Sequence, residues 1–270
     1  MRDEALPLAP PSRAALWGEL RVLRDLALML PALRQRVPVA ARLAAASPVL
    51  VLPGYGAGDV STYPLRRHLA RHGVACEGWG LGLNRAGLNL RHTLADLHPS
   101  WGRPHKHPYR GEAGVAFLCT LMVEHVARRT EALGEPLTLV GWSLGGTIAR
   151  EVARDLPDAV NRVITLGSPI IGGPKYTAAA TALRRLGLDL DWIEAQVAAR
   201  DVRPIQQPLT SIISRTDGIV GRTAAIDRIS PRVRHIEVAA SHLGLGFNPA
   251  VWQLVLEAMQ QPLHQPAAAP

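Results

Sequence analysis

The chain has 270 residues, of which 47% are hydrophobic and 19% charged, so it can bury a sizeable core and is not a wholly disordered protein. Its formal net charge is +8, but the arginines are spread along the sequence and do not cluster with aromatic residues, so we expect no nucleic-acid binding. No uncharged apolar stretch approaches the roughly 18 residues that a membrane span needs. The two cysteines, Cys76 and Cys119, have no disulfide or metal-ligand spacing, which favours a reducing compartment and hence the cytoplasm.

The first predicted element lies in an N-terminal helical extension, residues 1–46. Apolar residues recur there at helical spacing, at Leu16, Leu20, Leu23, Ala27 and Leu30. We expect this face to pack on the main domain, so that removing the extension would lower stability or solubility and spare the chemistry. The broad apolar face and the arginines leave a second interpretation open, a peripheral contact with a membrane or a partner.

Strands and helices then alternate along the chain. Strands are predicted at 48–52, 74–79, 137–140, 163–166, 209–214 and 233–238, with helices at 61–71, 112–133, 144–156 and 247–259. This alternation predicts an α/β fold with a mostly parallel sheet flanked by helices. Two further helices within about 170–206 interrupt it and predict a small helical cap. Residues 91–111 read as an irregular loop, and residues 261–270 as a flexible tail.

A short stretch, "LVGWSLGG", places Ser143 between a strand and a helix. Such a serine needs a sharp turn that brings together the positions two residues before and two after it, and Gly141 and Gly145 occupy them. The turn lifts the hydroxyl out of the sheet and leaves the Leu144 amide free at the helix start. We therefore predict that Ser143 is a nucleophile and that the Leu144 amide is an oxyanion donor.

A serine nucleophile needs a base and an acid that orients the base. His242, in "AASHLGLG" after the last strand, is the favoured base, because His235 lies within that strand. Asp217, directly after strand 209–214, is the favoured acid, with Asp227 as the alternative and Asp201 behind it. Their order along the chain is then serine, aspartate, histidine.

The glycine-rich stretch "LPGYGAG" follows the first strong strand, and its Tyr55 amide is the predicted second oxyanion donor. It lacks the pattern of a nucleotide-binding loop. Trp192, in the cap, is the candidate for an apolar substrate groove, whereas Trp142 is expected in the core. His105 and His107 form a pair without a third ligand, so we expect no metal site.

The stretches "LPGYGAG", "GWGLGLNR", "LVGWSLGG", "SRTDGIVG" and "SHLGLG" resemble the α/β-hydrolase superfamily, within it the bacterial lipase- and esterase-like branch. The resemblance covers about residues 47–260, the predicted α/β-hydrolase domain. It implies an acyl-serine mechanism on a small-molecule or lipid carboxylic ester, without a cofactor. One departure is Pro53-Gly54, where many members have His-Gly.

Two other functions fit the same residues. An acyltransferase would use the same acyl-serine and pass the acyl group to an alcohol or amine. A non-catalytic binding protein with the hydrolase fold is the second, although every triad position carries a competent residue.

Overall fold

Six parallel strands form one sheet in the structure, a computed structural model that describes residues 7–35, 37–38, 43, 46–91, 93–102 and 111–263. The strands are β1 (Val49–Leu52), β2 (Cys76–Gly78), β3 (Leu137–Trp142), β4 (Val160–Leu166), β5 (Leu209–Ser214) and β6 (Val233–Val238). Their order across the sheet is β2-β1-β3-β4-β5-β6, and every neighbouring pair is parallel. The predicted α/β class with a parallel sheet is confirmed.

The described α-helices are α1 (Arg13–Trp17), α2 (Val22–Arg34), α3 (Asp59–Arg71), α4 (Gly114–Leu133), α5 (Leu144–Asp155), α6 (Ala180–Arg185), α7 (Leu190–Asp201) and α8 (Pro249–Gln260). Helix α4 ends at Gly134, as predicted, in the left-handed conformation with φ of 70°. Helix α3 begins at Asp59, two residues before the predicted start, and the Asp59 carboxylate accepts the amides of Trp79 and Gly80 after β2.

Alternate residues of each strand supply two cores, one on each face of the sheet. Val49 and Val51 of β1 face the side that α3 and α8 cover, where Trp252 is fully buried. Leu50 and Leu52 face the side that α4 and α5 cover. Because helices cover both faces, the inner strands β1, β3 and β5 are buried throughout, whereas the edge strand β6 includes exposed polar residues. The carboxyl ends of the strands remain the accessible edge.

The segment between β4 and β5 holds a 3-10 turn (Gly173–Tyr176), α6 and α7, and we call it the cap. Ion pairs tie the cap to α5. The buried Arg200 binds Glu151 at 2.6 Å and Asp155 at 2.7 Å, both on α5. Arg154 of α5 binds Asp201 at 2.8 Å. These contacts attach the C-terminal end of α7 to the C-terminal half of α5.

The N-terminal extension packs in the opposite sense to the expectation. The predicted inward stripe faces solvent, with Leu20 60% and Leu23 66% exposed. The residues turned inward are two carboxylates, Glu19 and Asp25, together with a small apolar group, Met29, Ala32 and Leu33, packed against the α3 and α8 core. The Glu19 carboxylate accepts three backbone amides of the main domain, whereas Asp25 accepts one hydrogen bond, from Asn248, and burial raises its pKa. No helix in the described ranges is long and apolar enough to cross a bilayer.

Candidate active site

Ser143 lies on a strained turn between β3 and α5. Its backbone has φ of 54° and ψ of −124°, a conformation that a residue with a side chain rarely adopts. A Cβ on Gly141 would lie 2.3 Å from the Gly146 Cα, and one on Gly145 would lie 2.3 Å from the Leu52 carbonyl oxygen. Both glycines are therefore required for the chain to close this turn, as the sequence predicts.

The two predicted oxyanion donors border the same cavity as Ser143. Leu144 is the first residue of α5, so its amide has no helical acceptor. In the described part of the chain, the amides of Tyr55 and Leu144 donate to no acceptor. The Tyr55 loop comes close because Gly54 has no side chain, since a Cβ there would lie 3.2 Å from the Ser143 Cβ.

The predicted acid and base are hydrogen-bonded to each other. Asp217 Oδ2 lies 2.7 Å from His242 Nδ1, and both side chains are almost fully buried. The other carboxylate oxygen of Asp217 accepts the amides of Ile219 at 2.8 Å and Val220 at 2.7 Å. Because an ionised carboxylate can only accept, Nδ1 carries the proton and Nε2 is left as an acceptor.

Gly167, which follows β4, lies between this pair and the serine turn. A Cβ on Gly167 would lie 3.1 Å from both Asp217 Oδ2 and His242 Nδ1. The Ser143 amide donates to the carbonyl of Leu166, the preceding residue, at 2.8 Å. Among the hydrogen bonds of the described residues, none joins the Ser143 hydroxyl to His242. Ser143 is thus hydrogen-bonded to the end of β4, and the pair of Asp217 and His242 lies beside the next residue, Gly167.

The alternative acids are engaged elsewhere. Asp227 pairs with Arg150, and its carboxylate also accepts the amides of Ile229 and Ser230. Burial alone would raise the pKa of Asp227, but the Arg150 guanidinium and these hydrogen bonds hold it well below its usual range. Asp201 pairs with Arg154. Neither acid is bonded to His242.

A cavity of about 210 Å³ opens beside Ser143. Its wall is largely apolar and includes Val115, Leu183, Leu188, Ile193, Val197, Ile219 and Val220. Trp192, predicted to line a substrate groove, does not contribute to this wall. It packs against Leu97, Ala113 and Ala116, because the next residue on α7, Ile193, is the one that faces the cavity. Trp142 is buried, as predicted, and its Nε1 donates to the His242 carbonyl at 3.2 Å.

Sequence reasoning missed Glu19. Its Oε1 accepts the amides of Gly218 at 2.7 Å and His242 at 3.0 Å, and its Oε2 accepts the Leu243 amide at 2.9 Å. The extension therefore touches both loops that carry the acid and the base, contrary to the expectation that it is separate from the site. Helical spacing did not indicate a contact between Glu19 and the main domain, because the spacing of the leucines places Glu19 on the polar face of the helix.

Asn84, in "GWGLGLNR", was also missed. It is fully buried, and its side-chain amide donates to the Pro53 carbonyl at 2.8 Å. Its backbone binds Gly56 and Ala57. Asn84 thus fixes the Tyr55 loop from both sides of Gly54. A buried asparagine after a glycine-rich loop is the signal that could have found it.

Metal ligands are not grouped in the described residues, where no cluster of three or more His, Cys, Asp or Glu side chains could hold an ion. His105 and His107 lie outside the described residues.

Comparison with known proteins identifies the family. A family model described as alpha/beta hydrolase fold matches residues 47–211, and the chain belongs to this family. A pimeloyl-[acyl-carrier protein] methyl ester esterase from Sodalis glossinidius (strain morsitans) is 32% identical over 149 residues, 54% of this chain and 48% of that protein. The match thus spans about half the length of the relative.

Solved structures share the fold at low identity. A structure described with the metagenome-derived lipolytic enzymes LipS and LipT has a TM-score of 0.54 and 13% identity, covering 84% of this chain and 99% of that one. A naproxen esterase (carboxylesterase NP) from Bacillus subtilis has a TM-score of 0.51 and 14% identity, covering 80% and 85%.

Gly167→Ala tests the contact between the acid–base pair and β4. The new methyl group would lie 2.6 Å from Leu245 Cδ1 and 3.1 Å from both Asp217 Oδ2 and His242 Nδ1. It would push Leu245 aside and crowd the acid–base pair, so labelling of Ser143 by a fluorophosphonate should slow by about 100-fold. Gly134→Ala is the matched control, since Gly134 also has positive φ but a Cβ there would meet nothing within 4 Å. Gly167→Ala should lose more stability in urea than Gly134→Ala, because only its methyl group meets neighbouring atoms, so the labelling rates are compared on folded protein. Equal labelling rates would contradict the placement of the pair over Gly167.

Proposed function

We propose that this protein is a serine hydrolase that cleaves carboxylic esters through an acyl-serine intermediate. The observation that carries the proposal is the buried hydrogen bond between Asp217 and His242 at the sheet edge where the strained turn presents Ser143. The relative from Sodalis glossinidius, of which the match covers 48%, is named as a methyl ester esterase, and this supports the same reaction class.

In the proposed reaction, the Ser143 Oγ attacks the ester carbonyl carbon while its proton passes to His242 Nε2. Asp217 keeps the imidazole in the tautomer that has Nε2 free and stabilises the imidazolium that forms. The oxyanion accepts the amides of Tyr55 and Leu144. His242 then protonates the leaving alcohol, and a water molecule, deprotonated by His242, releases the acid and restores Ser143. The hydroxyl and Nε2 must come within hydrogen-bond distance in the substrate complex, a contact that often tightens only there.

The cavity wall indicates the acyl part of the substrate. The side chains that surround the space beside Ser143 are mainly Leu, Ile and Val, so an apolar acyl group gains free energy by leaving water there. We therefore infer an ester of an apolar acid. The alcohol part stays open.

Acyl transfer is the second candidate, and the same wall favours it. A wall with few polar groups offers an attacking water few hydrogen-bond partners, whereas an alcohol with an apolar body would be retained. The acyl-serine and the three side chains would be the same.

Substitutions at the triad positions test the proposal. Ser143→Ala should lower kcat for a p-nitrophenyl ester by on the order of 10⁶-fold, and Asp217→Asn by on the order of 10⁴-fold through the wrong imidazole tautomer. Asp227→Asn is the matched control, because that acid binds Arg150 instead. It should lower stability and keep kcat within about threefold, since it leaves the histidine untouched. Retained hydrolysis by Ser143→Ala would reject the nucleophile, and a larger loss for Asp227→Asn would reassign the acid.

A competing alcohol separates hydrolysis from transfer. With a p-nitrophenyl ester and increasing 1-butanol, a hydrolase should release mainly the free acid, because water at about 55 M outcompetes the alcohol for the acyl-serine. Chromatography of the products gives the ratio of acid to butyl ester. Mainly butyl ester at millimolar alcohol would favour the acyltransferase.

A further inference from the structure

We propose that Glu19 of the N-terminal extension is a positioning residue that sets the distance between the acid loop and the base loop. This inference rests on the proposed function, since it assigns the residue a part in the same chemistry. The inference is based on the Glu19 carboxylate, which accepts hydrogen bonds from three backbone amides on two separate loops.

A single oxygen makes the link. Glu19 Oε1 accepts from Gly218, the neighbour of Asp217, and from His242 itself. The two amides must therefore lie within hydrogen-bond reach of one point, which fixes the backbones on either side of the bond between Asp217 and His242. The second oxygen, Oε2, accepts the amide of Leu243 and so fixes the backbone direction directly after His242.

The acid loop is shaped to receive the extension. A Cβ on Gly218 would lie 2.4 Å from the Ala15 carbonyl oxygen and 3.1 Å from the Glu19 Cγ. A side chain at Gly218 would thus push the extension away. Asp25 adds a separate attachment, because its carboxylate accepts from Asn248 at 2.8 Å, beyond the His242 turn.

Three variants of the full chain test the role. Glu19→Ala removes all three acceptors and should lower kcat by about 10- to 100-fold with little change in KM, because the reacting groups are displaced while the acyl cavity is intact. Glu19→Gln keeps one oxygen but turns an N–H group toward an amide donor, so its kcat should lie between those of Glu19→Ala and the wild type. Asp25→Asn, the control, keeps an acceptor for Asn248 outside the acid and base loops and should leave kcat unchanged.

A spectroscopic signal separates positioning from general stability. The proton NMR signal of the hydrogen bond between Asp217 and His242 should broaden or shift in Glu19→Ala and stay in place in Asp25→Asn. If the wild type hydrolyses esters while folded Glu19→Ala and Glu19→Gln match its kcat and proton signal, the inference is wrong. If Glu19→Ala does not fold, Glu19→Gln decides by the same criteria. An inactive wild type would instead remove the proposed function.

A different observation carries a second proposal. We infer that the outward face of the extension binds an anionic lipid surface. This face consists of exposed apolar side chains at helical spacing, namely Leu16, Trp17, Leu20, Leu23, Leu28 and Leu30, with Trp17 76% exposed.

Charge favours an anionic surface as the occupant of this face. Within residues 7–35 the exposed charged side chains are all arginines, at positions 13, 21, 24 and 34. The acidic residues in that range, Glu19 and Asp25, are buried against the main domain. An apolar face whose own helices expose only cationic charges matches anionic lipid headgroups above acyl chains. A second copy of the chain would bring the same arginines together and be repelled.

Vesicle sedimentation of the full chain tests this surface. Binding to vesicles with 30% phosphatidylglycerol should exceed binding to pure phosphatidylcholine by on the order of tenfold and fall with salt. Leu20→Asn with Leu23→Asn should abolish it. Val60→Asn with Val202→Asn is the matched control, since Val60 and Val202 are 89% and 81% exposed away from this face and should bind as the wild type. Equal binding of both double variants to the anionic vesicles, or a dimer in solution that the Leu20 and Leu23 changes dissociate, would overturn the proposal.

Discussion

The close approach of β3 to α5 at the Ser143 turn is the constraint on which the site depends. Two glycines let the chain reverse within a few residues, and the positive φ of Ser143 holds its side chain out of the sheet. The same reversal starts α5 with an unpaired amide. Because the sheet is parallel, the loops that follow β4, β5 and β6 all begin at the same edge of the sheet as the Ser143 turn. The loops that carry Asp217 and His242 therefore lie at the same edge of the sheet as the Ser143 turn, and Glu19 accepts hydrogen bonds from both of them.

Much of this arrangement could be predicted from the sequence. The alternation of strands and helices gave the parallel sheet, and the glycine spacing around Ser143 gave the turn. Residues such as Asp217 and His242 could be chosen because each follows a strand, and strand ends converge. Local pattern suffices wherever a short stretch of chain determines its own geometry, as in the end of α4 at Gly134.

The extension could not be predicted in this way. Helical periodicity predicts that the leucines face inward, because burial of apolar side chains usually decides which face of a helix packs. Here the carboxylates of Glu19 and Asp25 face the main domain, because backbone and side-chain donors bind them there. Those donors lie on loops about 200 residues further along the chain, and spacing carries no information on such contacts. Trp192 does not line the cavity for a related reason. Adjacent residues on α7 face different neighbours, and the sequence alone does not indicate how a short helix is rotated about its own axis.

The distance along the chain between Glu19 and its donors has a consequence for biosynthesis. The carboxylate leaves the ribosome early, whereas the amides of Gly218 and Leu243 follow 199 and 224 residues later. At about 5–20 residues per second, the wait is roughly 10 to 45 seconds. During translation α2 can pack on α3 early, but Glu19 has none of its three donors until the nascent polypeptide is almost finished.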